Sequence, residues 1–288
     1  MQPLRNITGA TAVLEAHKMK LRILAALVLV PLLLVVVFLA PKVVTVLIVG
    51  QLCALAVYEL LWSTGILRQT RAVIYTAVMA FSVPLWCYFG MEPMCARIAV
   101  LAFFSLLFGE MLYSHGKLRL EKGAVCIVAG LVLPYMLSAL VRILGAEQGR
   151  AFLFIPFVAA FCSDSGAYFV GIAWGRHKLA PNISPKKSIE GMFGGILFAI
   201  LSMVIYTLIL AFVTKMQPNY LFAVIYGLLG ALGGVFGDLC FSVIKRQTGI
   251  KDYGCLIPGH GGILDRFDSV MIVAPLMEIL LLIMPILE

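Results

Sequence analysis

Four of the five aspartates in this sequence, Asp238, Asp252, Asp265 and Asp268, fall in or just before a single polar stretch, residues 242–268. The same stretch carries Lys245, Arg246, Lys251 and Arg266, and a Pro258-Gly-His-Gly-Gly262 turn. Asp265 and Asp268 are three residues apart and Asp238 and Ser242 four apart, so each pair shares a face if its segment is helical. Three carboxylates, Asp238, Asp265 and Asp268, converging from two helix ends form an oxygen-rich site suited to Mg²⁺. That ion takes one or two carboxylates and keeps positions open for water and substrate phosphate. The same spacing has a second reading, in which these residues cap a helix or pair with Lys245 and Arg246. Lys186, Lys187, Lys245, Arg246, Lys251 and Arg266 surround the acids with cations, an alternation that fits chemistry among several phosphates. The glycine-rich turn precedes a helix start, where free backbone N–H groups favour an anion. His260 is read there as a substrate-binding residue and not as a proton donor. Neither a G-x-x-x-x-G-K-[ST] nor a G-x-G-x-x-G run occurs, so no P-loop or dinucleotide fold is indicated.

These residues must be positioned by apolar elements. The chain is 62% hydrophobic and only 12% charged, with a mean hydropathy of +1.05, whereas soluble domains carry about a quarter charged residues. This is the composition of an all-α, polytopic integral membrane protein. Backbone in lipid must satisfy its own hydrogen bonds, and the apolar runs are too long for barrel strands. Nine spans are expected, near Leu21–Ala40, Val43–Leu61, Val73–Phe89, Ala96–Leu112, Ala124–Leu144, Ala151–Trp174, Met192–Val213, Leu221–Ser242 and Ser269–Leu287. Pro31, Pro84, Pro134 and Pro156 lie inside or near the starts of spans, as kinks do. The first run is too long for a removable signal peptide and lacks a small-x-small cleavage site. No repeat or low-complexity tract divides residues 1–288, which read as one integral domain: residues 1–150 without a motif and 151–288 as the catalytic half.

The net charge of +8 does not mark a nucleic-acid partner, because the basic residues are dispersed between spans. With nine spans, 17 of the 22 Lys and Arg residues fall on the side of the N-terminus, and 5 on the other. The positive-inside rule then places the N-terminus and every motif loop in the cytoplasm, in a multi-pass protein of the cell membrane surrounded by lipid. The seven cysteines show no C-x-x-C pair and read as small packing residues. Asp164, in the sixth span, is different, since a carboxylate within the membrane costs roughly 2.5–3.5 kcal/mol and calls for a cavity or a partner. Ser163, Ala167, Gly171 and Gly175 recur every four residues beside it, and Gly230/Gly234 and Gly233/Gly237 do the same before Asp238. Such small-residue stripes let helices approach closely. Intramembrane acids also mark ion pathways, so a transporter is a rival reading. Against it, the polar residues gather at one membrane face and not at the midplane.

The stretch from Ser242 to Asp268 resembles the signature of the phosphatidate cytidylyltransferases (CDP-diacylglycerol synthases). That signature reads Ser-x-apolar-Lys-Arg, four residues, Lys-Asp, then His-Gly-Gly-apolar-x-Asp-Arg-apolar-Asp, and every fixed position is filled here. Ser163-Asp-Ser-Gly-Ala-Tyr168 and Ile183-Ser-Pro-Lys-Lys-Ser-Ile-Glu-Gly-Met-Phe-Gly-Gly195 also look like that family. The resemblance covers roughly residues 150–288. It implies transfer of a cytidylyl group from CTP to phosphatidate, giving CDP-diacylglycerol and pyrophosphate. It also implies a homodimer, Mg²⁺ on Asp238, Asp265 and Asp268, and a second, monovalent cation. The substrate site it implies comprises Asp164, Ser184, Lys186, Lys187, Glu190, Ser242, Lys245, Arg246, Lys251, Asp252, His260, Gly261, Gly262 and Arg266. One position departs: many relatives carry an acidic residue just before the signature serine, where this chain has Phe241. A CTP-dependent transferase acting on an isoprenoid lipid is the nearest alternative.

Overall fold

The computed structural model describes residues 34–90, 92–114, 118–254 and 261–287. Most of the first expected span, Pro31, Cys255 and the turn at Pro258–His260 lie outside these. Helix α1, Lys42–Ser63, is preceded by Pro41, which separates it from a short helical piece at residues 34–39. A residue before proline is pushed out of the α region, so the two pieces cannot fuse. The last turn of α1, Glu59–Ser63, widens into a π-turn. Helix α2, Thr70–Phe89, stops at Gly90, whose φ of 63° is the left-handed value that favours glycine after a helix. Helices α3, Glu92–Tyr113, and α4, Leu120–Gly145, follow.

Helix α5, Gly149–Trp174, leads into a two-stranded antiparallel hairpin, β1 Lys178–Ala180 and β2 Ser184–Ser188. Then come α6, Ile189–Thr214, α7, Tyr220–Gln247, and α8, Leu264–Ile283. Among the described residues, α1 to α7 are long and apolar enough to cross a membrane. Helix α8 has the length but carries Asp265, Arg266, Asp268 and Glu278. The chain is a predominantly α-helical, multi-pass membrane protein.

Three expectations are corrected or refined in detail. The hairpin lies where a helix-only reading has a loop. The span expected at Ser269–Leu287 belongs to a helix that runs from Leu264 to Ile283, with both signature aspartates on its first turns, as their spacing suggests. Pro134 and Pro156 stand at the first positions of new helical segments, after a π-turn at Val128–Val132 and after a turn at Phe154, so each restarts a helix where its missing N–H costs nothing.

Helix α8 is the centre of the packing. It lies against α7, α5 and α4, and Val270, Val273, Ala274 and Met277 are fully buried. Helices α5 and α6 share the most extensive interface. Its cause is the small-residue stripe: a Cβ on Gly195 would stand 2.8 Å from the Ser163 carbonyl oxygen, and one on Gly191 2.8 Å from that of Ala167. Backbone therefore packs on backbone, the arrangement that holds helices together in lipid where no hydrophobic force does so. The outward face of α6 exposes Phe193, Leu197, Leu201, Ile205 and Phe212, the apolar belt a bilayer requires.

Candidate active site

The site is built where the hairpin folds back over the ends of α5 and α7. A cavity of about 550 Å³ opens there, lined by Asp164 and Tyr168 of α5, Lys178, Lys186 and Lys187 of the hairpin, and Asp238 of α7. The hairpin is fastened at both ends. Ser188 caps α6, its Oγ accepting from Gly191 N at 3.1 Å. Glu190 Oε2 accepts from Arg176 N at 3.1 Å, and Glu190 Oε1 meets His177 Nδ1 at 2.5 Å. At the turn, Arg246 Nε donates to Ile183 O at 3.0 Å. Ser184 is paired with Ala180 in the ladder. Glu190, Arg246 and Ser184 thus shape the hairpin, while Lys186 and Lys187 are the residues it delivers to the cavity.

Asp238 is held by two groups: Ser242 Oγ donates to its Oδ1 at 3.2 Å, and Lys187 Nζ forms an ion pair with Oδ2. Asp164 and Asp268 meet around one hydroxyl, Ser269 Oγ, which stands 3.4 Å from Asp164 Oδ2 and 3.5 Å from Asp268 Oδ1. Asp268 Oδ1 also accepts Ser269 N at 2.8 Å. Three acids from three helices, Asp164, Asp238 and Asp268, are therefore gathered with Lys187 beside them.

Asp265 has different partners. Its Oδ1 accepts from Lys245 Nζ at 2.9 Å, and its Oδ2 from Tyr253 N at 2.7 Å and Gly262 N at 3.1 Å. This is the capping and pairing arrangement weighed in the sequence as the second reading. Lys245 also lies over the Tyr253 ring, 5.4 Å from its centroid. Tyr253 Oη donates to the Phe241 carbonyl at 2.9 Å, and the two rings meet edge to face. Burial, with Asp265 and Asp268 adding to it, pushes the Tyr253 phenol upward, so it stays a neutral donor. Phe241 is thereby packing for Tyr253. Lys251, Asp252 and Arg266 are exposed and do not line the cavity, and His260 lies outside the described residues.

One residue absent from the sequence reading stands out. Glu59, on the π-turn of α1, is 2% exposed. Its Oε1 accepts Ile263 N at 2.9 Å and its Oε2 accepts Leu264 N at 2.8 Å. At the start of α8, where the sequence favours an anion, the N–H groups of Ile263 and Leu264 are met by a carboxylate from the N-terminal half.

Lys187 against Asp238, with Asp164 and Lys186 in the same cavity wall as Ile172, Met192 and Val235, sets cations and carboxylates beside apolar side chains. Residues 20–284 match the family model described as the cytidylyltransferase family, and the chain belongs to that family. It is 43% identical over 136 residues to a phosphatidate cytidylyltransferase of Staphylococcus epidermidis, covering 47% of this chain and 51% of that protein. It is 42% identical over 135 residues to one of Bacillus subtilis, covering 47% and 49%. The match spans about half the length of these relatives.

Proposed function

We propose that this protein transfers the cytidylyl group of CTP to phosphatidate in the bacterial cell membrane. A phosphate oxygen of the lipid attacks the α-phosphorus of CTP, the bond from that phosphorus to the bridging oxygen breaks, and pyrophosphate leaves. The observation that carries the reading is the juxtaposition of Lys187 and Asp238 in a cavity that the apolar Ile172, Met192 and Val235 also line. A lipid phosphate needs such a site: cations for its oxygens and an apolar wall for its glycerol end. The phosphate is ionised at neutral pH, so charge neutralisation matters more than a general base. Lys186 and Lys187 hold phosphate oxygens, and the hairpin keeps them aimed at the cavity.

The acids suit a divalent ion by donor chemistry, since carboxylate oxygens are the ligands Mg²⁺ prefers. Asp164, Asp238 and Asp268 are the residues that would hold it. Among the described residues no three acidic, histidine or cysteine side chains are gathered tightly enough to cage a metal. An ion there would take one or two of them and complete its shell with water and phosphate. Bound Mg²⁺ would supply charge stabilisation for the leaving pyrophosphate. Asp265, whose oxygens already serve Lys245 and two backbone N–H groups, holds the loop instead. The finer topology belongs to the same proposal: nine spans, a cytoplasmic N-terminus and a site open to cytoplasmic CTP. A homodimer and a second, monovalent cation follow from the family resemblance alone.

The test is an assay of detergent-purified protein with labelled CTP, Mg²⁺ and either phosphatidate or a polyprenyl phosphate. A lipid-soluble cytidine product and pyrophosphate formed with phosphatidate alone is the expected result. Product only with the isoprenoid lipid would move the protein to the neighbouring activity, and no product with either would overturn the proposal.

A further inference from the structure

Glu59 occupies the place where helix geometry invites an anion. The first N–H groups of a helix point outward, unpaired, and gather positive potential. At α8 those of Ile263 and Leu264 are both taken by the Glu59 carboxylate. The fit is close on two sides. A Cβ added to Gly262 would stand 2.5 Å from Glu59 Oε2, and one added to Gly254 2.7 Å from Oε1. At both positions the chain closes directly onto the carboxylate, so a side chain there would have to displace it. The network continues inward, since Gly262 N turns to Asp265 Oδ2, which also holds Tyr253 N, while Asp265 Oδ1 takes Lys245 Nζ. Asp268 follows Asp265 by three residues on the same helix.

We infer that Glu59 is a positioning residue for cytidylyl transfer: it fixes where α8 begins, and through that the placement of Asp265, Lys245 and Asp268. The inference rests on the activity proposed above. Glu59 does not line the cavity and acts only through backbone, so it sets geometry and not substrate affinity.

The experiment uses the full chain purified in detergent, with two variants. Glu59→Gln keeps the size but turns an N–H₂ group toward one of the two N–H donors. Gly262→Ala keeps the carboxylate and pushes against it. Each variant is expected to elute like the parent and to keep KM for CTP and phosphatidate within about 3-fold, while kcat falls by roughly 10- to 100-fold, as a misplaced reacting group requires. Hydrogen exchange at Ile263 and Leu264 should become at least ~10-fold faster in Glu59→Gln, because each loses a charge-assisted bond. Unchanged kcat per folded protein, or a loss confined to KM, overturns the inference. Should Glu59→Gln fail to fold, Gly262→Ala carries the kinetic test. Should the parent protein make no cytidine lipid, the activity proposal fails by itself. Hydrogen exchange then still decides, and unchanged exchange at Ile263 and Leu264 sinks the role given to Glu59.

Discussion

Arg142 and Glu278 meet through two parallel hydrogen bonds, Nε to Oε1 at 2.6 Å and Nη2 to Oε2 at 2.8 Å, joining α4 to α8. Arg142 also stacks on the Tyr135 ring, 4.4 Å from its centroid. With Glu59 at its start, α8 is therefore held at two levels by helices of the N-terminal half. Removing one partner of such a pair strands the other in a poorly solvated place. Glu278→Gln is expected to lower stability by about 3 kcal/mol, read as a drop in thermal midpoint in detergent. The double variant Arg142→Met, Glu278→Leu should recover most of it, because matched apolar residues carry no desolvation cost. A double variant no more stable than the single one would show that the pair does more than hold two helices.

The twin lysines are next. Replacing Lys186 and Lys187 by Ala removes both cations of β2 from the cavity and releases Asp238 from its ion pair. KM for CTP or phosphatidate should rise about 10-fold, the equivalent of roughly 1.4 kcal/mol of lost binding, with membrane abundance unchanged. Unaltered kinetics would leave the two lysines as topology signals only.

The aspartates should separate into two groups. Asp268→Asn removes a negative charge from the Asp164, Asp238 and Asp268 cluster. Turnover is expected to fall by at least ~10²-fold, with partial recovery in higher Mg²⁺ or in Mn²⁺. Asp265→Asn breaks the pair with Lys245, buried to 4% and 11% side-chain exposure. It should cost about 3 kcal/mol of stability, and added metal should not restore its activity. Recovery of Asp265→Asn by Mn²⁺ at an unchanged thermal midpoint would put Asp265 on the metal after all.

Orientation is tested by chemistry at one thiol. In a variant keeping only Cys255, an impermeant thiol reagent should label inverted vesicles and spare intact cells, if the proposed nine spans and their 17-to-5 distribution of Lys and Arg set the orientation. Labelling from outside would reverse the topology and remove access to cytoplasmic CTP.

The parts of the site that were legible in the sequence are those whose side chains need a local reason to exist. Asp164 and Asp238 could be singled out because a carboxylate in an apolar run demands a partner, and each has one, Ser269 and Lys187. The Lys245–Asp265 pair was visible as an alternative, since both fall in the one polar stretch 242–268, at the end of α7 and the start of α8. The same demand applies to Glu59, the sole acidic residue of the second expected span, yet its partners are backbone N–H groups that no side-chain pattern reveals. Arg142 and Glu278 escaped for a related reason: Arg142 reads alone as the end of a span, and Glu278, in the middle of the ninth, has its partner 136 positions away. The hairpin was hidden because Ser-Pro-Lys-Lys-Ser has no alternation of apolar and polar residues. It is held by Glu190 and Arg246 from outside the strands.

Glu59 and Ile263 are separated by 204 positions, and a chain enters the membrane in order of synthesis. At about 5–20 residues per second, α1 is made some ten seconds or more before the amides that will receive its carboxylate. Throughout that interval an unmatched acid sits in an otherwise apolar helix, a state that disfavours leaving the translocation machinery for open lipid. The arrival of α8 resolves it, so a helix made late completes one made early. A ribosome stalled before residue 263 should hold α1 near the insertion channel, and release should follow only when α8 emerges.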